Sequence, residues 1–220
     1  MSVSIIDYGM GNLRSVQKGF EKAGCNATII RAAHEVEDAR ALVLPGVGAF
    51  RNCLQNLDSQ KLITPILKFI ESGRPFMGIC LGLQILFSES EEFGKTPGLD
   101  IIRGTVIRFP SISGEDTPGL KGPNLKIPHM GWNTVHIAKA APVLDGIADG
   151  SFFYFVHSYY VVPQSAEAVA TTTAYGVEFV SSVCKDNIFA CQFHPEKSQS
   201  VGLKLLKNFS EISARETKYF

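Results

Sequence analysis

Pro75-Phe76-Met77-Gly78-Ile79-Cys80-Leu81-Gly82-Leu83-Gln84-Ile85-Leu86 decides how the rest of the chain is read. A short apolar run of strand length meets Gly78, Cys80 and Gly82 at alternate positions, and an apolar stretch of helical character follows. That order puts the cysteine where a strand turns sharply into a helix, the arrangement of a nucleophile elbow. Such a turn strains the backbone of its central residue and leaves no room for side chains two positions either side, hence the glycines. A helix N-terminus beneath Cys80 offers unpaired N–H groups that favour a thiolate. A lone cysteine after an apolar strand is more commonly a packing residue. The Gly78-Ile79-Cys80-Leu81-Gly82 frame argues for the elbow, because a packing cysteine needs neither glycine.

Upstream of this stretch, strand and helix alternate. Val3 to Asp7 reads as a buried strand, Tyr8-Gly9-Met10-Gly11 as a Gly-rich loop and Asn12 as an N-cap. Leu13, Val16 and Phe20 mark one helical face, with Gly24 as its stop. Ala27 to Arg31 and Ala41 to Leu44 are short strands, the second running into Pro45-Gly46-Val47-Gly48. Thr64-Pro65 reads as the cap and first turn of a further helix, stopped by Gly73 before the Cys80 strand. The alternation predicts a parallel sheet covered on both faces.

Downstream, Ile101 to Phe109, Thr134 to Ile137, Phe152 to Val156, Glu167 to Thr173, Val177 to Val183 and Ile188 to Phe193 are strand candidates with few helices between them. They pair most simply as antiparallel ribbons added to the sheet. Ser111 to Asn124, with Gly, Pro, Ser and opposed charges but no periodicity, reads as an exposed loop, a binding loop being the second reading. Ser198 is an N-cap for a last helix with Val201, Leu205, Leu206, Phe209 and Ile212 on one face. No repeat or linker interrupts the chain. Residues 1–220 are expected to form one α/β domain.

Composition narrows the classes. The 220 residues are 45% hydrophobic and 19% charged, an ordinary globular balance. Lys plus Arg and Asp plus Glu both total 21, so nothing suggests an electrostatic grip on nucleic acid or an anionic membrane. Five cysteines without a Cys-x-x-Cys pair argue against a disulfide framework or a zinc ribbon and favour a reducing cytoplasm. No signal peptide and no apolar run of transmembrane length are read from the sequence.

Near the end of the last strand candidate stands Gln192-Phe193-His194-Pro195-Glu196. In extended backbone His194 and Glu196 point the same way, while Pro195 keeps the segment out of helix. A carboxylate beside an imidazole fixes its tautomer and supports its protonated form, and an imidazole facing a thiol takes its proton. With Cys80 this supplies nucleophile, base and orienter, the requirements of acyl transfer. Pro45-Gly46-Val47-Gly48 reads either as an ordinary turn or as backbone able to face a developing oxyanion. Tyr8 to Asn12 lacks the complete Gly-x-Gly-x-x-Gly pattern and the Walker lysine, so it is assigned no nucleotide.

The combination resembles the class I, or triad, glutamine amidotransferases over nearly the whole chain. Gly78 to Gln84 is similar to that family's nucleophile motif and His194-Pro195-Glu196 to its base motif. Ile6 to Leu13, Pro45 to Gly48, His129-Met130-Gly131-Trp132-Asn133 and His157-Ser158-Tyr159 resemble the branch whose glutaminase serves imidazole glycerol phosphate synthase. The resemblance implies a flavodoxin-like, open and mostly parallel sheet flanked by helices, with antiparallel strands added in the C-terminal half. It implies hydrolysis of the glutamine amide by Cys80, His194 and Glu196 through a cysteinyl thioester. It also implies an oxyanion site at Leu81 with Val47 or Gly48, and substrate contacts from Gln84, Ser158 and Tyr159. No cofactor or metal is expected. The implied partner is a separate (β/α)₈ barrel synthase subunit in a heterodimer, which receives the ammonia; the chain is too short to contain that barrel.

Other readings stay open on sequence. One is a glutaminase for another synthase, such as that of anthranilate, guanylate or pyridoxal phosphate. A second is a redox or stress protein of the same fold, whose elbow cysteine oxidises, although such a protein needs neither Gln84 nor His194-Pro195-Glu196. A third is a binding module with the triad as packing, which requires three chemically matched segments to coincide.

Overall fold

The computed structural model describes residues 2–110 and 125–213, so the loop expected at 111–124 lies outside the described residues. In chain order the first elements are β1 (Ser2–Ile6), α1 (Leu13–Lys22), β2 (Asn26–Ile30), α2 (Ala33–Asp38), β3 (Leu42–Gly46), α3 (Phe50–Ser59), α4 (Ile63–Glu71), β4 (Phe76–Cys80) and α5 (Leu81–Gln84). Asn12 caps α1 by accepting the Ser15 N–H, and Gly24 follows the last turn at φ +84°, where a side chain is disfavoured. There follow β5 (Phe87–Ser90), β6 (Thr96–Pro97), β7 (Ile102–Arg108), β8 (His129–Ile137), β9 (Ser151–His157), β10 (Tyr159–Pro163), β11 (Val169–Tyr175), β12 (Val177–Lys185), β13 (Ile188–Cys191) and α6 (Gln199–Ile212).

The strands β2-β1-β3-β4-β13 form a parallel centre. β3 and β4 are buried at every residue, as strands covered on both faces must be. α1 and α6 pack on one face, where Phe20, Phe153, Phe193 and Phe209 share a core. On the other face Phe50, Leu57, Ile66, Phe69 and Leu83 form a second core beneath α3 and α4. β12 joins β13 antiparallel, and β10, β7, β11, β8 and β9 extend the sheet by further antiparallel pairs. The flavodoxin-like α/β class and the C-terminal antiparallel additions are thus as expected.

Register fixes the site. Gly46 pairs with Cys80 across β3 and β4, and Ile79 pairs with Cys191 across β4 and β13. The carboxyl ends of three adjacent strands therefore deliver the Pro45 loop, Cys80 and the Gln192–His194 segment to one edge, where open α/β sheets bind ligands.

Several local expectations need correction. α4 starts at Ile63 after Leu62, not at a Thr64 cap; Pro65 is in its first turn, where a missing N–H costs nothing. The helix after Cys80 is one turn only, because Phe87 already enters β5. Ser198 gives α6 no side-chain cap; its hydroxyl donates to the His194 carbonyl at 2.7 Å and accepts the Tyr154 N–H at 3.0 Å. Glu167 lies in a 3-10 turn before β11. His194 is extended, yet Pro195–Lys197 is a 3-10 turn, so Glu196 does not sit on a continuing strand.

Candidate active site

Cys80 ends β4 with φ 56° and ψ −106°, a conformation that costs energy for any residue with a Cβ and persists only where the surroundings impose it. Here the surroundings are glycines. A Cβ on Gly78 would lie 2.5 Å from the Gly82 carbonyl oxygen, and one on Gly82 would lie 1.9 Å from the Leu44 carbonyl oxygen. The turn closes only because both are absent. Gly82→Ala is therefore expected to cost about 3 kcal/mol of stability, measured by urea unfolding, because a backbone carbonyl cannot move aside as a side chain can.

His194 Nδ1 lies 2.8 Å from Glu196 Oε1, and the two side chains are 4% and 1% exposed. A carboxylate only accepts, so Nδ1 carries the proton and Nε2 is the reactive nitrogen. The turn at Pro195 makes this contact rather than the same-side geometry of a strand. Glu196 is seated by α1: a Cβ on Gly19 would come within 3.1 Å of the Glu196 Cβ. Burial pulls the His194 pKa down, and the charges of Cys80 and Glu196 override it, raising it to about 10. Nε2 makes no hydrogen bond of ordinary length among the described residues.

Cys80 opens onto a cleft of about 700 Å³ lined by Val47, Gly48, Leu81, Gln84, Ser158 and Tyr159. All the residues expected to hold the oxyanion or the substrate thus meet at the cysteine, while His194 and Glu196 lie behind it. Gly48 has φ +100°, and a Cβ there would lie 2.8 Å from Met10 Cε, so this loop needs its second glycine. Gln84 is turned inward, its amide donating to the Tyr159 carbonyl at 3.1 Å and to Gln192 Oε1 at 3.0 Å.

Residues 4–212 match the family described as glutamine amidotransferase class-I. The chain belongs to the class-I glutamine amidotransferases. This amidotransferase is 56% identical over 210 residues to the imidazole glycerol phosphate synthase subunit HisH of Syntrophotalea carbinolica, with 96% of this chain and 100% of that one covered. It is 47% identical over 218 residues to the subunit of the same name from Aquifex aeolicus, covering 99% and 100%. In fold it is similar to the structure of PurLQS from Thermotoga maritima, with a TM-score of 0.71 at 17% identity over 96% of this chain and 98% of that one.

The amidotransferase site also contains residues that sequence reasoning did not single out. Glu92 and Arg108 line the cleft from the loop after β5 and from the end of β7. No local pattern marks either one. Gln192 donates to Cys80 Sγ at 3.5 Å. Its signal was present, since it stands two residues before His194 at the end of a strand candidate. His129 and His157, quoted for the branch resemblance, form a buried pair with Nδ1 and Nε2 2.9 Å apart.

Proposed function

We propose that this chain is the glutaminase subunit of an imidazole glycerol phosphate synthase, acting in histidine biosynthesis as one domain over residues 1–220. The observation that carries the chemistry is the strained Cys80 at the cleft floor with the buried His194–Glu196 pair behind it. The branch is supported by relatives named as that subunit at 56% and 47% identity over nearly the whole chain. The reading over other synthases rests on that likeness, and the inward-facing glutamines and the His194–Glu196 pair favour an acyl-transfer site over a redox cysteine.

In this reading the Cys80 thiolate attacks the glutamine carboxamide carbon, and the carbonyl electrons move to oxygen. The Leu81 N–H and an N–H from Val47 or Gly48 stabilise that oxyanion. His194, protonated on Nε2, gives the proton to the leaving nitrogen, and ammonia departs as the thioester forms. His194 then takes a proton from water, whose oxygen displaces sulphur and releases glutamate. Gln84, Ser158 and Tyr159 hold the side-chain end of the substrate. Glu92 and Arg108 supply one negative and one positive group at the cleft wall, which complement the ammonium and carboxylate of a free amino acid.

Ammonia passes to a barrel synthase subunit docked as a heterodimer. The docking surface is the β8–β9 ribbon, whose Met130, Trp132 and Phe152 are 62%, 45% and 57% exposed on one face. Lys197 lies over the Tyr154 ring at 5.7 Å beside it, whereas Asn133 is engaged inward with His129 and the Ala174 carbonyl. The unpaired, buried state of all five cysteines accords with a cytoplasmic location. Co-elution of the chain with candidate barrel subunits tests the assignment, the imidazole glycerol phosphate partner alone being expected to bind and to switch on glutamine hydrolysis. Trp132→Ala is expected to weaken that complex about thirtyfold, measured by titration calorimetry. Activation by a different synthase's barrel would overturn the branch.

A further inference from the structure

Along the inner wall of the substrate cleft, where Gln84 and His157 line it, a run of buried polar groups leads from β8 to the nucleophile. Gln192, Gln84, His129 and His157 are 0%, 6%, 3% and 6% exposed; His129 bonds to His157 and Gln84 to Gln192, and the Tyr159 carbonyl joins the two pairs. The sense of the run is set by backbone groups, which cannot exchange donor for acceptor. The Thr134 N–H donates to Asn133 Oδ1 at 2.8 Å, which turns the Asn133 amino group toward the Ala174 carbonyl at 2.9 Å and His129 Nε2 at 3.2 Å. His129 Nε2 must accept, so His129 carries its proton on Nδ1 and donates to His157 Nε2 at 2.9 Å. His157 in turn gives its Nδ1 proton to the Tyr159 carbonyl at 2.8 Å.

That carbonyl also takes an N–H from Gln84 at 3.1 Å, which decides which end of the Gln84 amide faces inward. The second Gln84 N–H goes to Gln192 Oε1 at 3.0 Å, leaving the Gln192 amino group toward Cys80 Sγ at 3.5 Å. Both imidazoles must be neutral for this order, since either imidazolium would set donor against donor. Burial keeps them so, holding the His129 pKa at about 4; for His157, burial and the charges of His129 and His194 outweigh the Tyr159 carbonyl and hold it at about 3. His129 is also fixed in place, stacked between Tyr175 at 4.0 Å and Phe155 at 4.8 Å.

We propose that Gln192 is a positioning residue that donates to the nucleophile sulphur, and that the His129–His157 pair, acting through the Tyr159 carbonyl and Gln84, fixes the direction in which its amide points. This rests on the reading of Cys80 as nucleophile given above. An N–H aimed at sulphur favours the thiolate over the thiol, because it strengthens when charge develops. Gln192 and His194 come from one strand end, so the donor and the base approach the sulphur as a unit.

The test is the rate of iodoacetamide alkylation of Cys80 in the full chain at neutral pH, read by mass spectrometry of its peptide. Gln192→Met keeps the volume and removes the donor, and is expected to slow alkylation about tenfold. His157→Phe should slow it similarly, whereas His157→Asn, whose amide can replace the Nδ1 donor, should stay within about threefold of wild type. A role in packing alone would loosen the site and speed alkylation, so an unchanged or faster rate for Gln192→Met overturns the proposal. Equal rates for the two His157 variants overturn the part played by the pair. If His157→Phe does not fold, His129→Phe takes its place, with the same slowing expected and an unchanged rate overturning the part played by the pair. A wild-type Cys80 that reacts no faster than the cysteines of the urea-unfolded chain would instead remove the nucleophile reading itself.

Discussion

Cys80→Ala is expected to lower glutamine hydrolysis on the order of a millionfold, while synthesis from added ammonium salts by the reconstituted complex stays within about twofold of wild type. The substitution removes the atom that forms the thioester and leaves the synthase partner untouched. It also relieves nothing essential in the fold, since alanine can occupy the position that Cys80 holds at φ 56° at the same backbone cost. Imidazole product measured with each nitrogen source separates the two activities. Glutamine-driven turnover near the wild-type rate would show that another residue attacks the amide.

The second large effect is expected at Glu196. Glu196→Gln should slow glutamine hydrolysis by about ten-thousandfold, less than the loss of Cys80, because nucleophile and base remain but the imidazole loses its charged orienter. A pH effect accompanies it. The His194 pKa is raised to about 10, so the imidazolium that protonates the leaving ammonia persists through neutral pH and is lost as pH rises through about 10. Glu196 is one of the two charges responsible for that rise, and removing it must move the alkaline limb of kcat/KM to lower pH. Steady-state rates across alkaline pH check both points; an equal loss in the two variants, or an unmoved limb, would remove Glu196 from its role.

The legible parts of this molecule are those where one residue type is forced. Gly78 and Gly82 were readable as an elbow because a Cβ at either position collides with backbone, a constraint that no distant contact can relax. The parallel centre was readable because β3 and β4 are apolar without alternation. α3 was missed, although Phe50, Cys53 and Leu57 are its buried residues, because its other positions apart from Leu54 are polar and its start has no side-chain cap. The His194–Glu196 contact was expected for a wrong local reason, and the tight turn at Pro195 brings the same two groups together. Arg108 and the His129–His157 pair depend on strands that meet only through the antiparallel half, and Glu92 is held by the distant Phe50 N–H at 2.6 Å, so no spacing within the chain announces them.

The most direct measurement of the central claim is intact mass on the chain, acid-quenched while it turns over glutamine with its barrel partner, followed by peptide mapping. The expected result is a gain of one glutamyl group on the peptide that carries Cys80, absent from Cys80→Ala and lost when the quenched chain is treated with hydroxylamine. A glutamyl group on another residue, or rapid hydrolysis with no acylated chain under conditions that trap other thioesters, would contradict it.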